Sequence, residues 1–182
     1  MSEPFVVAFV PGVTPGKWER IWRERMPRSP LELRPLAQAD AVTALQDGTA
    51  HMALVRDVTA DDELHVIPLY RERPVVVAPK DHPVAAFDEL ALAELEGETV
   101  LEGETVLEGQ GADTVELVAA NVGLAIMPMS VARAHSRRDV IARPLTDAAD
   151  TGIGLAWPRA SEDPRLETFI GIVRGRTPNS SR

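Results

Sequence analysis

The sequence predicts an α/β fold built around a mainly parallel sheet. Residues 5–10, FVVAFV, form a continuous apolar run typical of a strand that is buried on both faces. Strand and helix patterns alternate through the first 55 residues, which implies right-handed crossovers between parallel strands. Residues 114–130, TVELVAANVGLAIMPMS, give the order helix, glycine stop and buried strand late in the chain. A chain with this order has built most of a sheet before that point.

Size and composition indicate an ordinary globular protein. A chain of 182 residues suits one domain or two small lobes with a real core. Cysteine is absent, which excludes disulfides and thiolate metal sites and fits a reducing compartment. The start, MSEPFVVAFVPG, lacks the basic segment of a signal peptide, and its apolar run is too short to cross a membrane. We therefore expect a cytoplasmic protein without a membrane partner.

Acidic residues are concentrated in one segment. Residues 81–132 contain eleven acids and neither Lys nor Arg, within a chain of net charge −9. An acidic chain without a basic stripe repels phosphate backbones, so we expect no direct nucleic-acid binding. We interpret the acidic segment as a solvated face, with a docking surface for a basic partner as the alternative.

The first helix follows a loop at residues 11–16. Thr14 can cap this helix, and Pro15 suits its first turn. Its apolar face carries Trp18 and Trp22, together with an isoleucine and a methionine at helical spacing. We interpret this face as core, and a dimer contact through the two tryptophans is the alternative.

Further elements follow in the same alternation. The patterns predict strands at residues 31–36, 50–55, 64–69 and 74–78, a short helix that Asp40 caps and Gly48 ends, a helix from Thr114 to Gly123, a buried strand at 124–127, and a helix opening near Ser130. A charged link at residues 70–73 separates two of the strands and can carry the chain between two lobes.

A tandem repeat interrupts the second half of the chain. Residues 95–100, LEGETV, recur at once as 101–106, and a third start, LEG, follows. An insertion of six residues preserves the faces of a strand but turns a helix by about 120°, so we expect a strand or loop, with a hairpin as one form of it. A duplication without function explains the repeat, and strand exchange between protomers is the alternative.

The sequence contains no convincing catalytic, metal-binding or cofactor-binding constellation. The four histidines are scattered, and no HExxH, G-x-S-x-G, GxGxxG or P-loop motif occurs. We therefore predict a protein that is not an enzyme and needs no cofactor. A binding site is better supported, because ligands of parallel sheets sit outside the carboxyl ends of strands. The loop at residues 11–16 occupies such an end, and the helix after it offers free N–H groups to a carboxylate or phosphate.

Several segments resemble one family. The run LVAANVGLAIMPMSVAR resembles the helix–glycine–strand–proline segment by which LysR-type effector-binding domains return from their second lobe to their first. The segments GTAHMALVRD and VIPLYRERPVVVAPKDHPVA resemble the end of the third strand of that family and the crossing into its second lobe.

The resemblance implies two Rossmann-like lobes joined by crossing strands, as in periplasmic binding proteins. Lobe I would comprise residues 1–73 and 129–173, lobe II residues 74–128, and residues 174–182 would be a disordered tail. The resemblance also implies a helix at residues 88–95 and closing strands of lobe I at 140–145 and 153–157. Lobe II looks reduced, because a helix and a strand of the family pattern are missing before the helix at Thr114. The winged helix-turn-helix that precedes the family domain is also missing before the first strand.

The resemblance further implies a small-molecule effector, an organic anion, bound in the cleft between the lobes of a homodimer. The candidate ligand-binding residues are Gly12, Val13, Thr14, Val55, Arg56, Leu69, Gly109, Gln110 and Thr114. Arg56 could pair with an anionic effector or be an ordinary surface arginine. The alternative function is an interaction module with a degraded cleft that dimerises through the helix carrying Trp18 and Trp22.

Overall fold

The computed structural model describes residues 3–101 and 106–175. Its strands are β1 (Phe5–Phe9), β2 (Leu31–Pro35), β3 (Met52–Arg56), β4 (Leu64–Glu72), β5 (Pro74–Pro79), β6 (Val100–Leu101), β7 (Leu124–Pro128), β8 (Val140–Pro144) and β9 (Thr151–Pro158). Its α-helices are α1 (Gly16–Arg25), α2 (Gln38–Gln46), α3 (Gly111–Ala119), α4 (Met129–Ala134) and α5 (Arg165–Val173). Two 3₁₀ turns (Pro83–Ala86 and Leu92–Leu95) and a kinked π-helical turn (Val106–Gln110) complete the described elements.

The strands form two sheets, each the centre of a lobe. The first has the order β2-β1-β3-β9-β4, with β1 parallel to β2 and β3 and with β9 antiparallel to β3 and β4. The second has the order β6-β7-β5-β8, with β5 antiparallel to β7 and β8. The chain crosses between the sheets twice, from β4 to β5 and from β8 to β9. This confirms the predicted α/β class and its two lobes joined by crossing strands.

The structure corrects the predicted lobe boundary. Residues 129–173 were assigned to lobe I, with residues 140–145 as one of its closing strands. However, β8 pairs with β5 in the second sheet, and Val131 and Ala132 of α4 pack in the second lobe's core. The chain therefore returns to lobe I only after β8. The apolar pattern of residues 140–144 shows that they form a strand. It does not show which strand they pair with, because that partner, β5, is distant in the sequence.

The tryptophans of α1 are core residues. Trp22 is 1% exposed, stacks on Phe5 with ring centroids 4.9 Å apart, and donates its indole N–H to the carbonyl of Ser29 at 2.8 Å. Phe169 of α5 packs against the rings of Phe5 and Trp22. Trp18 is also buried, with 6% of its surface exposed. The core interpretation is confirmed. The dimer contact through Trp18 and Trp22 is wrong, because their side chains are already buried within one chain.

Both helix starts in lobe I differ from the prediction. Pro15 is the N-cap of α1, no side chain caps that helix, and Thr14 is exposed. Likewise α2 begins at Gln38 with Ala37 as its N-cap, so Asp40 lies in the first turn instead of capping it. The Gln38 side chain bonds to the backbone of β3 and holds this turn, a contact that no local pattern shows.

The repeat and the segment before it form irregular structure. The last residue of the first repeat and the first residue of the second, Val100 and Leu101, form β6, which runs parallel to β7, so the described part is not a hairpin. Residues 102–105 of the second repeat lie outside the described residues. The helix expected at residues 88–95 is replaced by the 3₁₀ turn Leu92–Leu95 and by a bridge from Leu90 to Leu145. This bridge draws the segment towards the second sheet, which is incompatible with a continuous helix.

The end of the described chain is ordered as far as Gly175. The N–H groups of Arg174 and Gly175 bond to carbonyls of α5 at 3.0 Å, so the prediction of disorder is wrong for these two residues. Residues 176–182 lie outside the described part. Within residues 3–101 and 106–175, no helix has the length and apolarity needed to cross a membrane.

A polar cluster joins the start of β1 to α5. Arg165 pairs with Asp163 at 2.6 Å, bonds to the carbonyl of Glu3 at 2.9 Å and lies over the Phe5 ring. His51 accepts the backbone N–H of Val6 at 3.0 Å and approaches Asp163 at 3.8 Å. The cluster therefore fixes the last helix against the first strand.

We expect this cluster to make stability sensitive to acid. The side-chain bonds from Arg165 lower the pKa of Asp163 below its ordinary 3.8, although partial burial opposes them. Ionised Asp163 thus stabilises the fold above pH 3.8, and this contribution disappears as the pH falls through the lower folded-state pKa. Urea unfolding of Asp163→Asn should show a loss on the order of 1–2 kcal/mol at pH 7 that shrinks in acid. Asp62→Asn, at an exposed position, is the control, and an equal loss for Asp163→Asn at every pH would contradict the expectation.

Candidate functional site

The two lobes meet where the loop after β1 packs on α4. Gly12 in this loop has φ +87°, a conformation that favours glycine. A Cβ on Gly12 would lie 2.3 Å from Ser130 Oγ and 3.0 Å from a methyl carbon of Val131. Glycine is therefore required here both by the backbone conformation and by the close approach of the second lobe.

A cavity of about 250 Å³ lies at this junction. It is lined by Phe9, Val10, Pro11 and Gly12 after β1, by Pro35, Leu36 and Ala37 after β2, and by Gly109 of the second lobe. It therefore sits outside the carboxyl ends of two parallel strands, where ligands of such sheets bind. Apart from backbone groups, its walls are apolar.

Helix α2 begins at the wall of this cavity. Ala37, the N-cap of α2, lines the cavity, and no side chain caps the helix. The first N–H groups of a helix lack intrahelical partners and carry the positive end of its dipole. The cavity thus offers backbone donors rather than a charged side chain to a ligand.

Arg56 is the buried cation of the site, but its charge is already compensated. The residue is 4% exposed, so the surface-arginine alternative is wrong. Its guanidinium forms an ion pair with the carboxylate of Glu72 and donates to Thr151 Oγ1 at 2.9 Å and to the carbonyl of Pro11 at 3.1 Å. Arg56 therefore connects the end of β3 to β4, to β9 and to the loop that lines the cavity.

Gln38 extends this network from α2. Its side-chain amide donates to the Arg56 carbonyl at 2.8 Å and accepts the Arg56 N–H at 3.1 Å. Sequence reasoning missed Gln38, Glu72 and Thr151. Glu72 belongs to the charged link at residues 70–73, which is the one feature of the sequence that draws attention to it. Nothing in the sequence shows that the Glu72 side chain points inward to Arg56.

The structure brings together only some of the predicted ligand-binding residues. Gly12 and Gly109 line the cavity, and Arg56 contacts its loop through the Pro11 carbonyl. The remaining candidates lie apart from it: Val13 and Val55 are buried in the core, Thr14 and Gln110 are exposed, Leu69 lies at a β-bulge, and Thr114 is buried with its hydroxyl donating to the Gln110 carbonyl. Two of the nine predicted residues therefore line this cavity, and a third contacts the loop that borders it.

Metal-ligand chemistry is not assembled in the described part of the chain. Among residues 3–101 and 106–175, no group of three or more His, Asp or Glu side chains is placed to hold an ion. The site is therefore a cavity of apolar side chains and backbone donors beside a compensated ion pair.

This geometry agrees with the comparison to protein families. The LysR substrate-binding domain model matches residues 16–108 and 109–178. The chain belongs to that family. The break between the matched segments follows Glu108, at the third start of the repeat.

Regulators of this family are similar over nearly the whole chain. The Hca operon transcriptional activator HcaR of Escherichia coli K12 is 24% identical, and the HTH-type regulator CatR of Pseudomonas putida is 28% identical. The alignments cover 93% and 92% of this chain but only 67% and 66% of those proteins, so the chain spans about two thirds of their length. Both relatives are transcriptional regulators rather than enzymes.

Solved structures show the same fold. The effector-binding domain of a BenM variant superposes with a TM-score of 0.80 at 19% identity, covering 97% of this chain and 98% of that one. A Corynebacterium glutamicum OxyR mutant gives 0.77 at 21% identity, covering 96% of this chain and 64% of that one. The LysR-type substrate-binding domain described here is therefore an effector-binding regulatory domain with the two-lobed, periplasmic-binding-protein-like fold.

Removing Arg56 should destabilise the domain strongly. Arg56→Ala leaves Glu72 buried without its cation, which costs about 3–5 kcal/mol in comparable cases. The double variant Arg56→Met with Glu72→Leu should recover part of this loss, because no charge stays unpaired. Arg73→Ala, at an exposed position nearby, is the control in urea unfolding. A loss below about 1 kcal/mol for Arg56→Ala would contradict the assignment.

Gly12→Ala tests the contact between the lobes. The left-handed backbone and the clash with Ser130 both oppose the added methyl, and we expect a loss of roughly 1–3 kcal/mol in the free energy of unfolding. Adding Ser130→Gly should relieve the clash but not the backbone strain, so recovery should be partial. Gly16→Ala, where nothing lies within 4 Å of the added Cβ, is the matched control. Full recovery in the double variant would show that backbone strain contributes nothing.

Proposed function

We propose that this domain senses a small organic anion bound in the cavity between its lobes. The observation that carries the proposal is the cavity itself, which joins the ends of β1 and β2, the uncapped start of α2 and Gly109 of the second lobe. A carboxylate is the ligand group that helix N-terminal N–H groups favour. A ligand contacting both lobes would stabilise their closed arrangement, which is how a binding event becomes a regulatory signal.

The size of the cavity limits the effector. A volume of about 250 Å³ lies just below the usual range of roughly 300–1,000 Å³ for ligand pockets. It suits a small acid and leaves little room for a nucleotide. Its apolar lining favours an aromatic or short aliphatic body. BenM, whose effector-binding domain has a similar fold, has benzoate as its effector, and benzoate is therefore a suitable first probe.

Arg56 has a positioning role in this proposal. Its charge is neutralised by Glu72, so it is not free to neutralise a second carboxylate. It holds the Pro11 carbonyl and therefore the loop that carries Gly12. The effector would meet backbone N–H groups, while Arg56 fixes the loop around it.

The domain is also proposed to act as a homodimer in the cytoplasm, in keeping with the resemblance to LysR-type regulators. The surface used cannot be the Trp18 and Trp22 side chains, because both are buried. This burial counts against the interaction-module alternative, which assigned the contact to the helix that carries these two side chains. The cavity therefore favours sensing over that alternative.

Filling the cavity should abolish effector binding. Ala37→Leu would project a larger side chain into the lining, whereas Ala39→Leu adds the same atoms at an exposed position of α2. In a thermal-shift assay with benzoate and other small carboxylates, a ligand at a hundred times its Kd should stabilise the unaltered protein by roughly 2.7 kcal/mol, a shift of several degrees. The control should keep the shift and Ala37→Leu should lose it, each measured against its own ligand-free melting temperature. Equal shifts in both variants, or none across the panel, would refute the proposal.

A further inference from the structure

A second and larger cavity lies within lobe I, apart from the junction of the lobes. Its volume is about 690 Å³, and it opens on the face of the β4–β9 ribbon beside the loop that follows β3. Val66, Pro68 and Arg71 of β4 form one wall, the loop residue Asp57 stands at one end, and Gly152 and Gly154 form the floor. None of its lining residues belongs to the cavity between the lobes.

Of the two glycines on one face of β9, Gly152 leaves open space and Gly154 admits the close approach of Val66. Gly152 and Gly154 are two residues apart, so their missing side chains would point to the same face of the sheet. A Cβ on Gly154 would lie 2.8 Å from a methyl carbon of Val66, which shows how closely the wall approaches the floor there. Over Gly152 the nearest atoms are 3.5 and 3.7 Å away, so the floor is open at that end.

A β-bulge brings Arg71 to the same face. Pro68 pairs with Gly154 and Arg71 pairs with Gly152, with a register shift between them at Leu69. In a regular strand residues 68 and 71 would face opposite sides, and the extra residue puts them on one side. The bulge thus adds a cation to an otherwise apolar wall formed by Val66 and Pro68.

Opposite charges stand on either side of the open floor. The position of a Cβ on Gly152 is 3.5 Å from Asp57 Oδ1 and 3.7 Å from Arg71 Nη1, yet no ion pair joins these two described side chains. Both are held in place: Asp57 accepts the Gly152 N–H at 2.6 Å, and Arg71 donates to the Asp150 carbonyl at 2.8 Å. Asp57 adopts φ +49°, a left-handed conformation that two bonds to Gly152 stabilise. One carboxylate and one guanidinium therefore face the same small space without neutralising each other.

We propose that this cavity binds a zwitterion with an apolar side chain, of the α-amino acid class. The ligand carboxylate would pair with Arg71 and its ammonium with Asp57 over the open floor at Gly152, while its side chain would extend along Val66 and Pro68. A simple anion would be repelled by Asp57 and a simple cation by Arg71. Adjacent opposite charges on one ligand satisfy both groups at once.

Calorimetry with phenylalanine and two analogues tests this proposal. Phenethylamine lacks the carboxylate and 3-phenylpropanoate lacks the ammonium, so each should bind at least about tenfold more weakly than phenylalanine. Leucine should bind as a second zwitterionic probe. Absence of measurable binding for both amino acids at millimolar concentration would overturn the proposal.

Variants locate the ligand and keep the test independent of the first cavity. Gly152→Val adds a side chain over the open floor without meeting backbone and should abolish phenylalanine binding. Asp57→Asn keeps an acceptor for the Gly152 N–H and tolerates the left-handed backbone, but it should remove the preference for phenylalanine over 3-phenylpropanoate. Arg71→Gln should weaken phenylalanine binding. Arg73→Gln, at an exposed position two residues away, is its matched control. Thermal melting of each variant without ligand verifies folding.

Variants at the two cavities distinguish a failure of this proposal from a failure of the proposed effector site. Ala37→Leu should leave phenylalanine binding intact even where it abolishes binding of a carboxylate between the lobes. If Ala37→Leu loses phenylalanine binding and Gly152→Val keeps it, the amino acid binds between the lobes. That outcome would overturn the proposal of a second site. Loss of benzoate binding in Ala37→Leu alone would bear only on the first proposal.

Discussion

The ion pair between Arg56 and Glu72 is the interaction on which the junction of the lobes depends. Burying two charges is costly, and additional hydrogen bonds offset part of that cost. Nη1 and Nη2 of Arg56 donate to Thr151 and to the Pro11 carbonyl, whereas its buried Nε has no partner among the described residues. Because Glu72 ends the strand that precedes the crossing into lobe II, the pair ties the loop around the first cavity to the segment about which the lobes would move.

This arrangement explains why the first cavity is lined by apolar side chains and backbone. The side chains of Arg56 and Gln38 bond within the packing between α2, β3 and β4, and neither lines the cavity. A ligand would therefore be recognised by N–H groups that the fold itself fixes in space. Such recognition is pre-organised, since no long side chain has to lose rotamer freedom when the ligand arrives.

The parts of this architecture that local pattern determines were predictable, and the parts that depend on distant partners were not. Apolar runs define strands locally, so β1 and β7 follow from the sequence. The predicted helix end at Gly123 is wrong, because α3 ends at Ala119 and the left-handed residue after it is Asn121. Gly123 is instead required by a distant contact, since a Cβ there would lie 2.7 Å from the carbonyl oxygen of Thr99. The lobe to which β8 belongs depends on its pairing with β5, about 65 residues away in sequence. The role of Arg56 likewise depends on its ion pair with Glu72. A cluster of charged residues near a crossing strand does not show which of their side chains points inward. The bulge at Leu69 defeats simple alternation, because it inverts the facing of every later residue in β4.

The strand segments that hold the buried ion pair also border the second cavity, on the opposite face of the sheet. Arg56, Glu72 and Thr151 form the network on one face, and their immediate neighbours Asp57, Arg71 and Gly152 line the second cavity on the other. Side chains alternate between faces along a strand, so the same backbone carries both sets of groups. This backbone is linked to the first cavity through Arg56, whose guanidinium donates to the carbonyl of Pro11. The buried ion pair therefore fixes the strands on which both the second cavity and the loop after β1 depend.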